Sequence, residues 1–321
     1  MSEPHKRRRH PKYKTAYRVK SWPEYEKSLR DRGDLTVWFS QDAIEAWTPP
    51  KTGKPGGQPL YSDLAIETAL TLRLLFHQPL RQTEGFLGSI LPLMGLDLPC
   101  PDHTTLSRRN QTLEIRRRIE NLPPGPIEFI VDSTGLKICG QGEWHAKKHG
   151  KKQRRHWRKM HLGVDQAGWI RASAVTEDHE QDPSQVPDLL GRVKQEIQRF
   201  VGDGIYDQDP VFEAVKRHSP GAIIIVPPRK DAAVSGTAKS NLSQRDKHIL
   251  RIQETGRSLW RRESGYYRQS HVENAMYRYK TTFGGSLRTR DMEAQENEVA
   301  LGCAILNRIR EIGRPTSYPL S

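Results

Sequence analysis

The chain has 321 residues, with 52 Lys and Arg against 38 Asp and Glu, a formal charge of +14, and 35% hydrophobic residues. This is enough chain for about two domains, and no apolar run approaches the ~20 residues that cross a bilayer, so no membrane association is expected. Cys100, Cys139 and Cys303 form no C-x-x-C pair, which excludes a disulfide scaffold and cysteine-rich zinc sites and points to a reducing, cytoplasmic setting.

Positive charge is clustered. Lys6, Arg7, Arg8, Arg9, Lys12, Lys14, Arg18 and Lys20 are opposed only by Glu3. Lys147, Lys148, Lys151, Lys152, Arg154, Arg155, Arg158 and Lys159 run without an acid between them. Two such runs in a basic chain suit a polyanion, and nucleic acid is the commonest one.

In chain order, residues 1–48 read as a basic arm and a small helical unit with Trp22, Tyr25, Leu29, Leu35, Trp38 and Phe39 as anchors. A Pro/Gly/Lys linker (PPKTGKPGGQP) follows. Residues 60–121 read as helical. Ser62 opens a helix with Leu64, Ala65, Ala69, Leu72 and Leu75 on one face. A second helix carries Phe86, Leu87, Ile90 and Leu91. Asp102 or Thr104 caps a third that bears Arg108, Arg109, Arg116, Arg117 and Arg118. Such a trio fits a helix-turn-helix reader of DNA, or equally a plain bundle with a basic surface. After the second linker, NLPPGP, residues 126–321 change period. Strands are expected at 127–138, 161–165, 170–176, 200–206 and 222–226, and helices at 183–200, 210–218 and 269–282. Residues 230–262 look polar and unpatterned. The sum is an α/β domain, a mixed sheet with flanking helices.

Three acids stand out. Asp132 interrupts an apolar strand, and an unpaired carboxylate there is costly unless it is neutralised or binds metal. Asp203 ends a short strand before Gly204, and Glu273 heads a helix. Carboxylates on such rigid elements can hold the two divalent ions that phosphodiester chemistry uses. Each also has a plain structural reading. Asp132 can form a turn with Ser133 and Thr134. Asp203 can shape a turn, with Asp207 and Asp209 as rival ligands. Ser270-x-x-Glu273 can be a capping box.

VDSTGLKI, GDGIYD and YYRQSHVENAMYRYK together resemble the signature of the DDE transposases of bacterial insertion sequences, closest to the IS-five branch. HWRKMHLGVD, LTVWFSQDAIEAW and FGGSLRTRDMEAQENEVALGCAILNRI look similar to the same family, so the resemblance spans nearly the whole chain. It implies a ribonuclease-H-like catalytic domain behind an all-α helix-turn-helix-like DNA-binding region. Asp132, Asp203 and Glu273 would be the catalytic residues and metal ligands, holding Mg²⁺ or Mn²⁺, two ions in all. Tyr266, Glu273 and Lys280 fall on the family's Y-(2)-R-(3)-E-(6)-K spacing, with Tyr266 and Lys280 contacting DNA. Arg154, Arg155, Arg158 and Lys159 would line the DNA path, and Arg108 and Arg109 would belong to the front reader. The implied partners are double-stranded DNA, as terminal inverted repeats and target, and a second copy in a homodimer. The implied location is the bacterial cytoplasm, at the nucleoid.

The motif's arginine position holds Gln269, with Arg268 one residue earlier. Two readings stay open: Arg268 reaches the phosphate from before the helix, or this copy is catalytically weakened or inactive and only binds DNA ends. A zinc site of His145, His149, His156 and His161 is disfavoured by the surrounding lysines and arginines.

Overall fold

A computed structural model describes residues 17–51, 53, 55–113, 115, 122–138, 157–236 and 242–320. The basic arm up to Lys14, the run from Lys147 through Arg155, Arg116 to Arg118, Cys139, His145, His149 and His156 all lie outside the described residues.

A short strand, β1 (Tyr17–Val19), leads into α1 (Trp22–Asp31), α2 (Leu35–Trp38) and α3 (Gln41–Glu45). Side chains of Asp34 and Ser40 cap the second and third helices by accepting from Thr36 and Ala43 N–H groups. The anchors are Trp38, Phe39 and Trp47, with the last two rings stacked at 6.2 Å. Trp22 and Leu29, expected inside, are largely exposed: α1 turns its hydrophilic bulk and these two side chains outward together.

The three expected helices follow as α4 (Asp63–Leu75), α5 (Leu80–Leu93) and α6 (His103–Thr112). Ser62 caps α4, and Asp102 caps α6 by accepting from the N–H groups of Thr104 and Thr105. The expected one-faced α4 is instead buried on every side from Ala65 to Leu74, because helices cover it from both directions. Within it Arg73 is buried, in the field of Glu298.

The sheet begins with β2 (Ile127–Ile138), β3 (Trp157–Val164) and β4 (Ile170–Glu177), an antiparallel meander. Then β5 (Ile197–Val201) and β6 (Ile223–Ile225) add in parallel on the other side of β2, giving the order β4-β3-β2-β5-β6. Three antiparallel strands with two parallel ones beyond the first is the ribonuclease-H-like arrangement. Close packing sets one residue identity: a Cβ on Gly163 would fall inside the Phe129 ring on the neighbouring strand.

Between β4 and β5 one long helix was expected over 183–200. The chain instead makes a 3-10 turn (Asp182–Gln185), a six-residue α7 (Val186–Gly191), and then β5, which takes Ile197 and Phe200 into the sheet. Ile197 kept a helical spacing with Val193, but pairing with Ile127 overrides that local pattern. Next come α8 (Asp209–His218) and β6.

The stretch read as unpatterned holds two helices, α9 (Gln244–Thr255) and α10 (Arg257–Ser264). Ser243 and Asp246 form a capping box at the start of α9. Gly265, left-handed at φ +77°, ends α10. A 3-10 turn (Tyr266–Gln269) then feeds α11 (Ser270–Phe283). The chain closes with β7 (Ser286–Leu287) against the end of β2, a 21-residue α12 (Met292–Ile312), and β8 (Ser317–Pro319), which pairs with β1. Among the described residues no helix is long and apolar enough to cross a membrane.

Two apolar clusters flank the sheet. One gathers α7, α8 and the side chains of Phe129, Val131 and Phe200. The other runs from Trp38 and Trp47 through α4 to α11, α12 and the opposite face of β2, with Ile130 and Leu136.

Candidate active site

Strand alternation decides where Asp132 points. Its odd-numbered neighbours Phe129 and Val131 enter one cluster, and Ile130 and Leu136 enter the other. Asp132 shares the face of Ile130, the one covered by α11 and α12. Ile130 is registered with Val201 across the parallel β2–β5 pair, so Asp132, still within β2, and Asp203, just past the end of β5, each follow two residues further on. Asp203 does not close the strand as expected, since β5 stops at Val201. The aspartate caps a 3-10 turn (Gly204–Tyr206), accepting from Ile205 N–H at 3.0 Å.

Glu273 lies in the first turn of α11, which packs on β2 and β3. The capping box open to it does not form. Ser270 is already helical, its hydroxyl donates to the Tyr267 carbonyl at 2.9 Å, and no side chain caps this helix.

The electrostatics tie these acids together. Burial pushes the Asp132 carboxyl up to about 6, aided by the charges of Asp203, Glu273 and Asp182 against one opposing bond from Ser133 N–H. Burial, with Asp182, also raises Asp203. Tyr206 is raised by burial and then by Asp132, Asp182 and Asp203. Asp132 and Asp203 thus share one partly dry region and, among the described residues, have no salt-bridge partner, whereas Asp182 beside them is paired with Lys159. Among the described residues Asp132 accepts one hydrogen bond, from Ser133 N–H at Oδ1. Hard carboxylate oxygens with free lone pairs are the donor set that magnesium or manganese prefers.

Asp182 escaped sequence reasoning, falling in the gap between the strand expected to end at 176 and the helix expected from 183. It is 9% exposed, accepts from Ser133 Oγ at 2.8 Å and from Lys159 Nζ at 3.0 Å, and so pins the loop after β4 beside Asp132.

The expected DNA-contacting residues are placed as follows. Lys280 lies on α11 and donates to Thr134 Oγ1 at 2.6 Å, on the strand face of Asp132. Tyr266 is half-buried against Trp260, ring centroids 6.0 Å apart, and burial together with Asp203, Glu273 and Asp132 raises its phenol against the pull of Arg261. Lys159 is held by Asp182 and by the Glu180 carbonyl at 2.7 Å. Arg158 pairs with Glu177 and donates to Gln295 Oε1 at 2.9 Å. Arg268 pairs with Glu128. Gln269 is 4% exposed and donates from Nε2 to the Val131 carbonyl at 3.0 Å. Arg108 is exposed on α6, whereas Arg109 bridges to Asp63 at 2.5 Å and ties α6 to α4. Arg154 and Arg155 lie outside the described residues.

Of the competing groups, Asp207 is fully buried in a two-pronged pair with Arg245, at 2.7 and 2.9 Å, and Asp209 sits in the first turn of α8. Trp157 covers Gly135 under the ammonium of Lys137, 5.7 Å from the ring. His161 is buried on Thr176 Oγ1 at 2.8 Å, and burial lowers it to about 4. Among the described residues one trio has ligand atoms all within 4.8 Å, namely Glu177, Asp178 and His179.

Residues 30–141 and residues 123–308 each match a family described as a transposase DDE domain. Among solved structures the chain is similar to the piggyBac transposase synaptic complex with hairpin DNA, at 11% identity and a TM-score of 0.40, covering 85% of this chain and 73% of that one. It is also similar to the Drosophila P element transposase strand transfer complex, at 10% identity and a TM-score of 0.32, covering 91% and 86%. The match over 123–308 fills more than half of the chain and takes in Asp132, Asp182, Asp203 and Glu273; the chain belongs to the DDE transposases.

Proposed function

We propose that this transposase binds the terminal inverted repeats of its own insertion sequence, cuts a strand at the element's end and joins the freed end to target DNA. Asp132, Asp203 and Glu273 are the metal ligands. Magnesium or manganese, two ions when bound there, would supply charge neutralisation on the attacking and leaving oxygens. The chain's own part is to hold those carboxylates on a strand, a strand-end turn and a helix, so that little reorganisation is needed at reaction. In the first step water attacks the phosphodiester and leaves a 3′-hydroxyl. In the second, that hydroxyl attacks a target phosphate and the target's own 3′-oxygen departs.

Tyr266 and Lys280 border the acids and would meet the phosphates on either side of the cut. Arg158 and Lys159, with Arg154 and Arg155, would continue the path, and α6 with Arg108 and Arg109 would engage the repeat. Pairing two element ends calls for at least a homodimer. The observation that carries this reading is the burial of Asp132 within the field of Asp203, Glu273 and Asp182, which together lift its carboxyl to about 6.

Its test is nicking of a short duplex bearing the terminal repeat, in Mn²⁺. Asp132→Ala, Asp203→Ala and Glu273→Ala are each expected to abolish cleavage while binding persists. Wild-type cutting by any one of them overturns that residue's assignment. A wild-type protein that binds the repeat yet never nicks would instead be the inactive, end-binding copy.

A further inference from the structure

The family spacing puts an arginine where this chain has Gln269, and the structure leaves that position no route to DNA. Gln269 is buried, with its amide turned onto the carbonyl of Val131, the residue before Asp132. Its neighbour Arg268 is no substitute, because its guanidinium is spent on Glu128. A third arginine lies over the ring that borders the acids. Arg261, on α10, is exposed and has no carboxylate partner among the described residues; its guanidinium lies 5.6 Å from the centroid of the Tyr266 ring. That ring in turn lies in the field of Asp203, Glu273 and Asp132.

Resting on the transposase reading above, we propose that Arg261 is the phosphate-binding arginine of this enzyme, replacing the one missing at position 269 and gripping the DNA backbone beside the cut.

Three features suit it to this. A guanidinium stacked on an aromatic face is already oriented, so less freedom is lost on binding. The planar fork matches phosphate oxygens two at a time. And Gly265, left-handed between α10 and the turn that carries Tyr266, fixes the approach of helix to ring. Gln269 is then a strut: its bond to Val131 ties the start of α11, and with it Glu273, to the strand of Asp132.

The test measures binding of a fluorescent duplex cut from the element's end, in chelator, across a salt series. A second duplex carries an uncharged methylphosphonate at the scissile position. Arg261→Ala should weaken binding about tenfold and flatten the salt slope by about one. Arg261→Lys should restore the slope but only part of the affinity. The methylphosphonate should weaken the wild type and leave Arg261→Ala nearly unmoved, since both remove the same contact. Arg268→Ala should keep the wild-type slope. If Arg261→Ala binds with wild-type slope, or loses as much again on the methylphosphonate, the assignment falls while the transposase reading stands. If the wild type ignores the element's end, both fall. Arg261 is exposed, so an unchanged melting temperature is expected.

Discussion

The two faces of the central sheet are made by the same strands and behave as opposites. On one, Phe129, Val131 and Phe200 meet Val211, Phe212 and Val215 in a layer of buried apolar side chains. On the other, Ile130 and Val201 begin the same kind of layer, but Asp132 and Asp203 follow at the next same-facing positions and α11 adds Glu273. One residue's shift along β2 separates holding the fold from holding charge. The lesson is that the apolar face stabilises the strands strongly enough for the other face to carry unneutralised acids at its rim.

The sharpest way to break that contrast is at Asp207, an acid only four residues past Asp203 that does have a partner. Arg245→Ala leaves its fully buried carboxylate alone and should destabilise by about 3–5 kcal/mol, read by denaturant unfolding. A loss similar to that of an ordinary surface arginine would show that partners matter little here.

Next comes pH. His161, at about 4 in the folded chain against about 6.5 unfolded, is neutral inside. The unfolded chain binds the extra proton between those values, so its contribution is intact above pH 6.5 and lost as pH falls towards 4, roughly 3 kcal/mol in all. Unfolding of His161→Gln should fall less steeply across that window, and equal slopes would discount it.

Asp132 works in the other direction. Raised to about 6 from 3.8, it leaves the metal-free fold unburdened below 3.8, costs stability as pH climbs from 3.8 through 6, and holds that cost above. Being partly open to water, it should cost less than the full shift implies. Asp132→Asn is therefore expected to stabilise the metal-free protein by roughly 1–2 kcal/mol at pH 8 and not at pH 4, while cleavage disappears.

The smallest effects are packing tests. Gly163→Ala forces a methyl into the Phe129 ring and should cost about 1–3 kcal/mol. Gly85→Ala, on exposed α5 with nothing near it, should gain up to about 1 kcal/mol. Equal melting shifts would mean that the apolar face is looser than described.

Much of this layout could be read from residues alone. The bounds of β2 and the cap at Ser62 needed no coordinates, and Asp102 was one of two caps the sequence offered for the third helix. What stayed hidden has physical reasons. Helices α9 and α10 bury Ile249 and Trp260 as their chief apolar contacts, and one buried apolar side chain per helix leaves no period to detect. Helix α12 has the reverse problem: it is buried nearly all round, so no stripe stands out. Asp182 was missed because it falls in a short connection without a pattern of its own, and Arg261 because it lies in the stretch read as unpatterned. Long-range pairing with Ser133 and stacking on Tyr266 give them meaning.

The burial of α4 has a practical consequence. Because one continuous core joins the front helices to α11 and α12, trimming the chain to begin at 122 would not release a smaller working enzyme. It would peel greasy surface bare along α12 and strip buried Glu298 of its Arg73 counter-charge. The remnant is expected to precipitate, and the intact protein to melt in one cooperative step.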